Sequence, residues 1–366
     1  MLEDMLSHIK LTHPDIDYVM WTGDVVPHNV WSTTKEFNLQ LVRETNQMIQ
    51  DFFPSIPVFP VVGNHEMSPL DQFTNPDDSD TPEELSADWL YQELARQWSR
   101  LVPQLDNSTV TRAAYYSVLL QPGFRIISFN SMFGYSSNLW LVEDSQDPGE
   151  ELAWLEEQLN RAEASGELVH LLGHVPPGIL EAERTWSREF NRIVVRYENT
   201  IRGLFYGHTH FDELEIFHDG ERPVGVAYIA PSQTPWYGLN PAYRIYYVDG
   251  DRENSTRIVL DHETYVMNLT EAEKTGEARW YQLYSARDQY GMMGLTPADW
   301  QDLADRMAAD RHLFDLYYRN YVSGGDPFLE AGCDDLCYEQ RLCDLVTSNR
   351  NDLDNCLAIL WRKRGL

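Results

Sequence analysis

Leu204-Phe205-Tyr206-Gly207-His208-Thr209-His210 is the stretch from which the fold and the chemistry of this chain are read. An apolar, strand-like run ends in glycine and then presents two imidazoles one residue apart. In extended backbone, alternate side chains point to the same side, so both rings can face one metal centre or two adjacent ones. Three other stretches share this form: Val19-Met20-Trp21-Thr22-Gly23-Asp24, Phe59-Pro60-Val61-Val62-Gly63-Asn64-His65-Glu66, and Val169-His170-Leu171-Leu172-Gly173-His174. Four strands that each end in glycine followed by Asp, Asn-His or His describe one site assembled at one edge of a sheet.

The donors this predicts are Asp24, Asn64, His174, His208 and His210. Carboxylate, amide and imidazole together suit zinc, manganese or iron better than calcium or magnesium. Asp24 is the natural bridging group, because its two oxygens can serve two ions. Asn64 is neutral, which limits the total ligand charge. Two divalent ions ~3.5–4 Å apart would acidify a water and clamp both oxygens of a phosphoryl displacement. His65 follows Asn64 directly and must point away from the ion that Asn64 binds. It is placed to protonate a leaving oxygen, with Glu66 to orient it and His28 as a second candidate. His170 alternates with core residues and reads as a buried structural group. Asp261-His262-Glu263 has no preceding glycine and also reads as structural. His8, His13, His218 and His312 read as surface residues.

The chain has 366 residues, 43% of them hydrophobic, enough for one large α/β domain with a smaller annex. Against 28 basic residues stand 58 acidic ones, a net charge of −30, so no nucleic-acid partner is expected. No run of about 18 apolar residues predicts a membrane span, and Met1-Leu2-Glu3-Asp4-Met5-Leu6 does not read as a signal peptide. Asn107-Ser108-Thr109, Asn254-Ser255-Thr256 and Asn268-Leu269-Thr270 are glycosylation sequons. All four cysteines, 333, 337, 343 and 356, lie in the tail. An even, clustered set reads as two disulfides, with a zinc knuckle as the alternative.

Taken in order, residues 1–16 predict a short helix and Asp17–Trp21 the first strand. Thr33 or Thr34 caps a helix over 33–53, with Phe37, Leu41, Met48 and Phe52 on one face. Ile56–Val62 is the next strand, followed by an exposed acidic loop over 67–81. A helix is expected from Pro82 to residue 101. A hairpin spans 114–130 around Gly123, a helix 150–164, a strand 168–172 and a short helix 190–199. Further strands lie at 224–230, 243–248, 257–260 and 264–268. From about 271 the pattern turns helical. This gives a catalytic domain over 1–271 and a helical, disulfide-bearing subdomain over 272–366.

The motifs Trp21-Thr22-Gly23-Asp24, His28-Asn29-Val30-Trp31, Gly63-Asn64-His65-Glu66, Gly173-His174-Val175-Pro176-Pro177-Gly178 and Phe205-Tyr206-Gly207-His208-Thr209-His210 occur in an order that resembles the calcineurin-like metallophosphoesterases. Within them the chain is most similar to the acid sphingomyelinase family, a match that extends through Gly238-Leu239-Asn240-Pro241 and Asp261-His262-Glu263-Thr264-Tyr265 to the tail cysteines. The resemblance implies an α/β, two-sheet sandwich flanked by helices. It also implies a dizinc phosphodiesterase that hydrolyses sphingomyelin to ceramide and phosphocholine. Asn64, His174 and His208 would hold one Zn2+, Asp24 would bridge, and His210 would serve the other; His65, assisted by His28, would protonate the ceramide oxygen. Cys333–Cys337 and Cys343–Cys356 disulfides, a secreted or lysosomal monomer and a sphingomyelin or membrane-surface substrate are implied as well. An aromatic loop at Thr234-Pro235-Trp236-Tyr237 would suit lipid or a choline headgroup. Alternatives are a sphingomyelinase-like phosphodiesterase acting on nucleotides or other diesters, and an inactive lipid-binding homologue. The family's first motif, Asp-x-His on an earlier strand, has no counterpart here. An N-terminally shortened sandwich with its first strand missing, one well-held and one poorly held metal, and an open sheet position are therefore expected. The family's catalytic-domain cysteine pair is replaced by Gly134 and Leu180.

Overall fold

The computed structural model describes residues 1–250 and 252–364. The strands among them are β1 (Val19–Trp21), β2 (Val58–Pro60), β3 (Tyr116–Gln121), β4 (Phe124–Ser128), β5 (Leu168–Leu172), β6 (Ile201–Tyr206), β7 (Glu213–Asp219), β8 (Arg222–Ile229), β9 (Ala242–Val248), β10 (Val259–Met267) and β11 (Trp280–Ser285). Six form one sheet in the order β3-β4-β5-β6-β8-β7, parallel through β4-β5-β6-β8 and antiparallel at both edges. Its central parallel strands β4, β5 and β6 are buried on both faces, as strands covered by helices and a second layer must be. On the outer face Ile127, Leu171 and Leu204 pack against Leu155 and Leu159 of helix Glu151–Ser165 and Trp186 and Phe190 of helix Arg184–Arg196. On the inner face Phe124 and Phe205 meet Tyr18 and Tyr246 of the second layer. The Tyr116 hydroxyl donates to the Pro60 carbonyl at 2.8 Å and ties the two layers together.

The second layer comes in two pieces, β1-β2 parallel and β9-β10-β11 antiparallel. Between β1 and β9 runs a cavity of about 1000 Å³, lined by both strands from Tyr18 and Val248 at one end to Asp24 and Ala242 at the other. It is a strand-shaped slot that opens onto the histidine cluster. Among the described residues neither β1 nor β9 is paired on a second side. This matches the open sheet position expected from the sequence.

Several local expectations are corrected. Helix Lys35–Phe52 is capped by Thr34, whose Oγ1 accepts from the Phe37 amide, but its buried stripe is Asn38, Val42, Asn46 and Ile49 rather than the Phe37 face. Polar Asn38 and Asn46 hide the stripe from a hydrophobicity reading. The loop over 67–81 is not wholly exposed, since Met67, Phe73 and Thr74 are buried. The helix expected from Pro82 is Asp88–Trp98, because residues 82–86 close a turn on the Pro82 carbonyl. The helix expected over 190–199 starts earlier, as Arg184–Arg196 capped by Glu183. The pattern after 271 contains β11, which pairs with β10. His8, His13 and His218 are half-buried: the first two bond the Tyr243 hydroxyl and the third bonds Gln301. The tail pairs as Cys333–Cys337 and Cys343–Cys356, which removes the zinc-knuckle alternative.

Candidate metal centre

Each ligand candidate follows the end of a strand, and at Asp24, His208 and His210 the backbone turns against its usual preference. After β1, Gly23 has φ 92° and Asp24 φ 60°; after β6, His208 and His210 both have φ 70°. Non-glycine residues held at positive φ are uncommon, and they persist where surrounding structure fixes them. Gly63 shows what fixes Asp24: a Cβ there would run into the Asp24 carboxylate.

The result is a tight group. Ligand atoms of Asp24, His174 and His208 lie within 4.8 Å of one another. His174 Nδ1 donates to the Thr22 carbonyl at 2.5 Å, which leaves the Nε2 lone pair facing Asp24 Oδ2 at 3.1 Å and Asn64 Oδ1 at 3.0 Å. His208 Nδ1 lies 3.1 Å from the same amide oxygen. Acceptor atoms therefore converge on acceptor atoms, an arrangement that is relieved by a cation or by a proton. Burial opposes protonation of His174, but the Asp24 carboxylate outweighs it and raises the ring's pKa. For Asp24, burial pushes up, while His174 and His65 outweigh it and hold the carboxyl well below its usual range. Burial and the neighbouring His174 lower His208 to about 3, and burial with His28 lowers His210 to about 4, so both rings stay neutral and ready to ligate. The donor set fits a divalent cation, and the residues that would hold it are Asp24, Asn64, His174 and His208.

His210 lies outside this group. Its ring is 5.2 Å from that of His28, and its buried Nδ1 has no hydrogen-bond partner. His65 is buried, sits edge-on to His28 at 4.6 Å, and gives its backbone N–H to Asp24 Oδ1 at 3.0 Å. His28 stacks flat on Trp236 at 4.3 Å, which places the aromatic loop beside the cluster.

Glu66 does not orient His65. Its carboxylate accepts from the backbone N–H groups of Gly63 (2.6 Å), Val25 (2.6 Å) and Asp24 (3.2 Å), and so shapes the turn that carries Asp24. Three contributors escaped the sequence reading. Asn38 gathers the carbonyls of His65, Glu66 and Met67 on its amide. Ser131 Oγ accepts from the His174 and Val175 amides. Asp71 accepts from Asn64 Nδ2 at 2.8 Å, which turns the Asn64 oxygen towards the two imidazoles. Asp71→Ala is expected to weaken metal binding about 10–100-fold, as loss of an outer partner generally does. Competition with a chromogenic chelator measures this, and an unchanged affinity would show that Asn64 is held by other means.

The remaining histidines are structural. His170 bonds the Arg257 carbonyl and the Tyr18 hydroxyl, and burial lowers it to about 4. His262 is buried in stacking contact with Trp300. Where the cysteine pair is replaced, backbone bonds still join the two segments: Glu183 N–H to the Gly134 carbonyl and Ser136 N–H to the Glu181 carbonyl.

Comparison with known proteins agrees with this geometry. Residues 1–212 match the calcineurin-like phosphoesterase family, and residues 222–362 match the acid sphingomyelin phosphodiesterase C-terminal region. The chain is 41% identical to "Sphingomyelin phosphodiesterase" of Bos taurus and 40% identical to that of Homo sapiens, over 97% and 98% of its length and 56% of theirs. It is 30% identical to "Acid sphingomyelinase-like phosphodiesterase 3b" of Homo sapiens, over 98% of its own length and 79% of that protein. The chain thus spans about half the length of the first two relatives. With a matching N-terminal portion that carries the converged donor cluster and a matching C-terminal region, this chain belongs to the calcineurin-like phosphoesterases, in the acid sphingomyelinase branch.

Proposed function

We propose that this chain is the catalytic portion of a zinc-dependent phosphodiesterase that cleaves sphingomyelin to ceramide and phosphocholine. The observation that carries this reading is the set of four converging donors, Asp24, Asn64, His174 and His208, with two further imidazoles, His65 and His28, beside it. Three imidazoles, one carboxylate and one amide across the cluster and His210 favour zinc. When bound, the metal would supply Lewis acidity towards the phosphoryl oxygens and lower the pKa of water. The chain's own residues do the rest. Asp24, His174, His208 and His210 all line the slot. Water releases one proton to solvent as its oxygen joins phosphorus and the bond to the ceramide oxygen breaks. His65 gives that oxygen its proton, and His28, wedged between His65 and Trp236, keeps the ring in place.

The same reading takes 1–271 as the catalytic domain and 272–366 as a helical annex. It places the protein, as a monomer, outside the cytosol, secreted or lysosomal. Two disulfides support an oxidising compartment, and Asn107 and Asn254 of the sequons are exposed. Among the described residues no helix is long and apolar enough to cross a membrane.

Metal content per chain, measured alongside hydrolysis of sphingomyelin and of a bis-aryl phosphodiester at pH 5, tests the proposal. About one tightly held zinc is expected, from a single four-donor site, with turnover that follows zinc loading. A chain that binds zinc and turns over neither substrate would overturn the catalytic reading. Turnover of the aryl diester alone would move the reading to other phosphodiesters.

A further inference from the structure

Three short 3-10 turns stand around the metal-ligand cluster, and each holds apolar side chains in water. Val30–Ser32 presents Trp31, 83% exposed; Leu139–Val142 presents Leu139 and Val142, 68% and 88% exposed; Trp236–Gly238 presents Tyr237, 68% exposed. Single exposed apolar residues are ordinary on a protein surface. Their placement here is not, because Trp236–Gly238 and Leu139–Val142 are linked to the cluster's surroundings by contacts, and Val30–Ser32 follows His28 directly in the chain. Trp31 follows His28 by three residues, and His28 stacks on Trp236, the neighbour of Tyr237. On the other side, the Leu139 amide donates to Gln72 Oε1 at 3.2 Å, and Gln72 adjoins Asp71, the partner of Asn64. Tyr135, just ahead of the same turn, sets its ring edge-on to His208 at 5.1 Å. The apolar side chains therefore flank the site on two sides, by His28 and by Asn64.

We propose that these turns form a docking rim that inserts into the headgroup layer of a zwitterionic phosphocholine lipid surface and sets the metal cluster over the phosphodiester. The choice of a lipid surface rests on the phosphodiesterase reading above. The choice of a zwitterionic one rests on charge at neutral pH: a chain of net charge −30 at pH 7 is repelled there by an anionic surface and must bind by apolar contact. Tryptophan and tyrosine suit that depth, with an apolar ring and a polar edge.

The test uses the full chain at pH 7 and vesicles of phosphatidylcholine, with and without phosphatidylserine. A triple variant, Trp31→Ser, Leu139→Ser and Val142→Ser, is compared with a control, Leu11→Ser and Met293→Ser, which removes equally exposed residues elsewhere (83% and 88%). The triple variant is expected to lose about tenfold or more in partitioning to phosphatidylcholine, from the apolar area no longer buried. The control should bind as the unaltered chain does, and both variants should hydrolyse a soluble bis-aryl diester at the unaltered rate. Absence of vesicle binding by the unaltered chain, equal binding by the triple variant, an equal loss in the control, or tighter binding to phosphatidylserine vesicles would each overturn the rim. So would self-association of the unaltered chain that the triple variant abolishes, since the rim would then be an interface between copies. Failure of the phosphodiesterase reading shows separately, as no turnover of the soluble diester by the zinc-loaded chain.

Discussion

His65→Ala is expected to slow hydrolysis of a diester with an alkyl leaving group by about 10²–10⁴-fold, the usual contribution of a positioned proton donor. Hydrolysis of a nitrophenyl diester should stay close to the unaltered rate. An alkoxide needs a proton to depart, whereas a nitrophenolate leaves as the anion, so the two substrates separate proton donation from every other role. Metal binding should survive, because the contribution of His65 to the cluster is its backbone N–H to Asp24, which alanine keeps. The ring itself is buried against His28 and its Nδ1 makes no hydrogen bond. Equal losses on both substrates would remove His65 from the role of acid and make it a support for the cluster.

The second large effect concerns stability. Asp212→Ala should destabilise the protein by about 3–5 kcal/mol, as happens when one member of a buried ion pair is removed and its partner stays charged. Asp212 pairs with Arg244, and both side chains are almost fully buried. The same carboxylate takes hydrogen bonds from Thr264 Oγ1 and the Tyr284 hydroxyl, each at 2.8 Å, and its amide donates to the Tyr321 carbonyl at 3.0 Å. One residue thereby binds the turn carrying His208 and His210 to β10, β11 and helix Arg311–Tyr321. Urea unfolding reads the effect. A double change, Asp212→Ala with Arg244→Met, should recover part of the loss, because no charge is then left alone in the interior. If the single variant unfolds within about 1 kcal/mol of the unaltered chain, the pair is effectively solvated.

These two sites also mark what could be read from sequence and what could not. The ends of β1, β5 and β6, and the loop after β2, announce themselves because a strand, a glycine and a ligand are consecutive in the chain. Asp71, Asn38 and Ser131 do not, since each acts through hydrogen bonds that exist only once separate loops have met. The role of Glu66 was misassigned for the same reason: adjacency to His65 suggested a partnership, while the carboxylate turns towards Gly63, Asp24 and Val25. Strand β7 went unseen because Glu213 and Glu215 break its apolar pattern, yet Glu215 is buried and accepts from the Gly178 amide. The helix Lys35–Phe52 was found, but its face was set by Asn38, whose burial depends on the carbonyls it satisfies. The open sheet position is legible only by comparing motifs, a kind of information that periodicity alone does not hold.

The slot between β1 and β9 has a consequence for handling the protein. Each flanking strand offers a free ladder of amides and carbonyls, and any extended segment of another copy can pair with it. Losses by that route need two molecules to meet, so their rate rises with the square of concentration, whereas unfolding of a single chain does not depend on it. Dilution should therefore prolong the life of a stock.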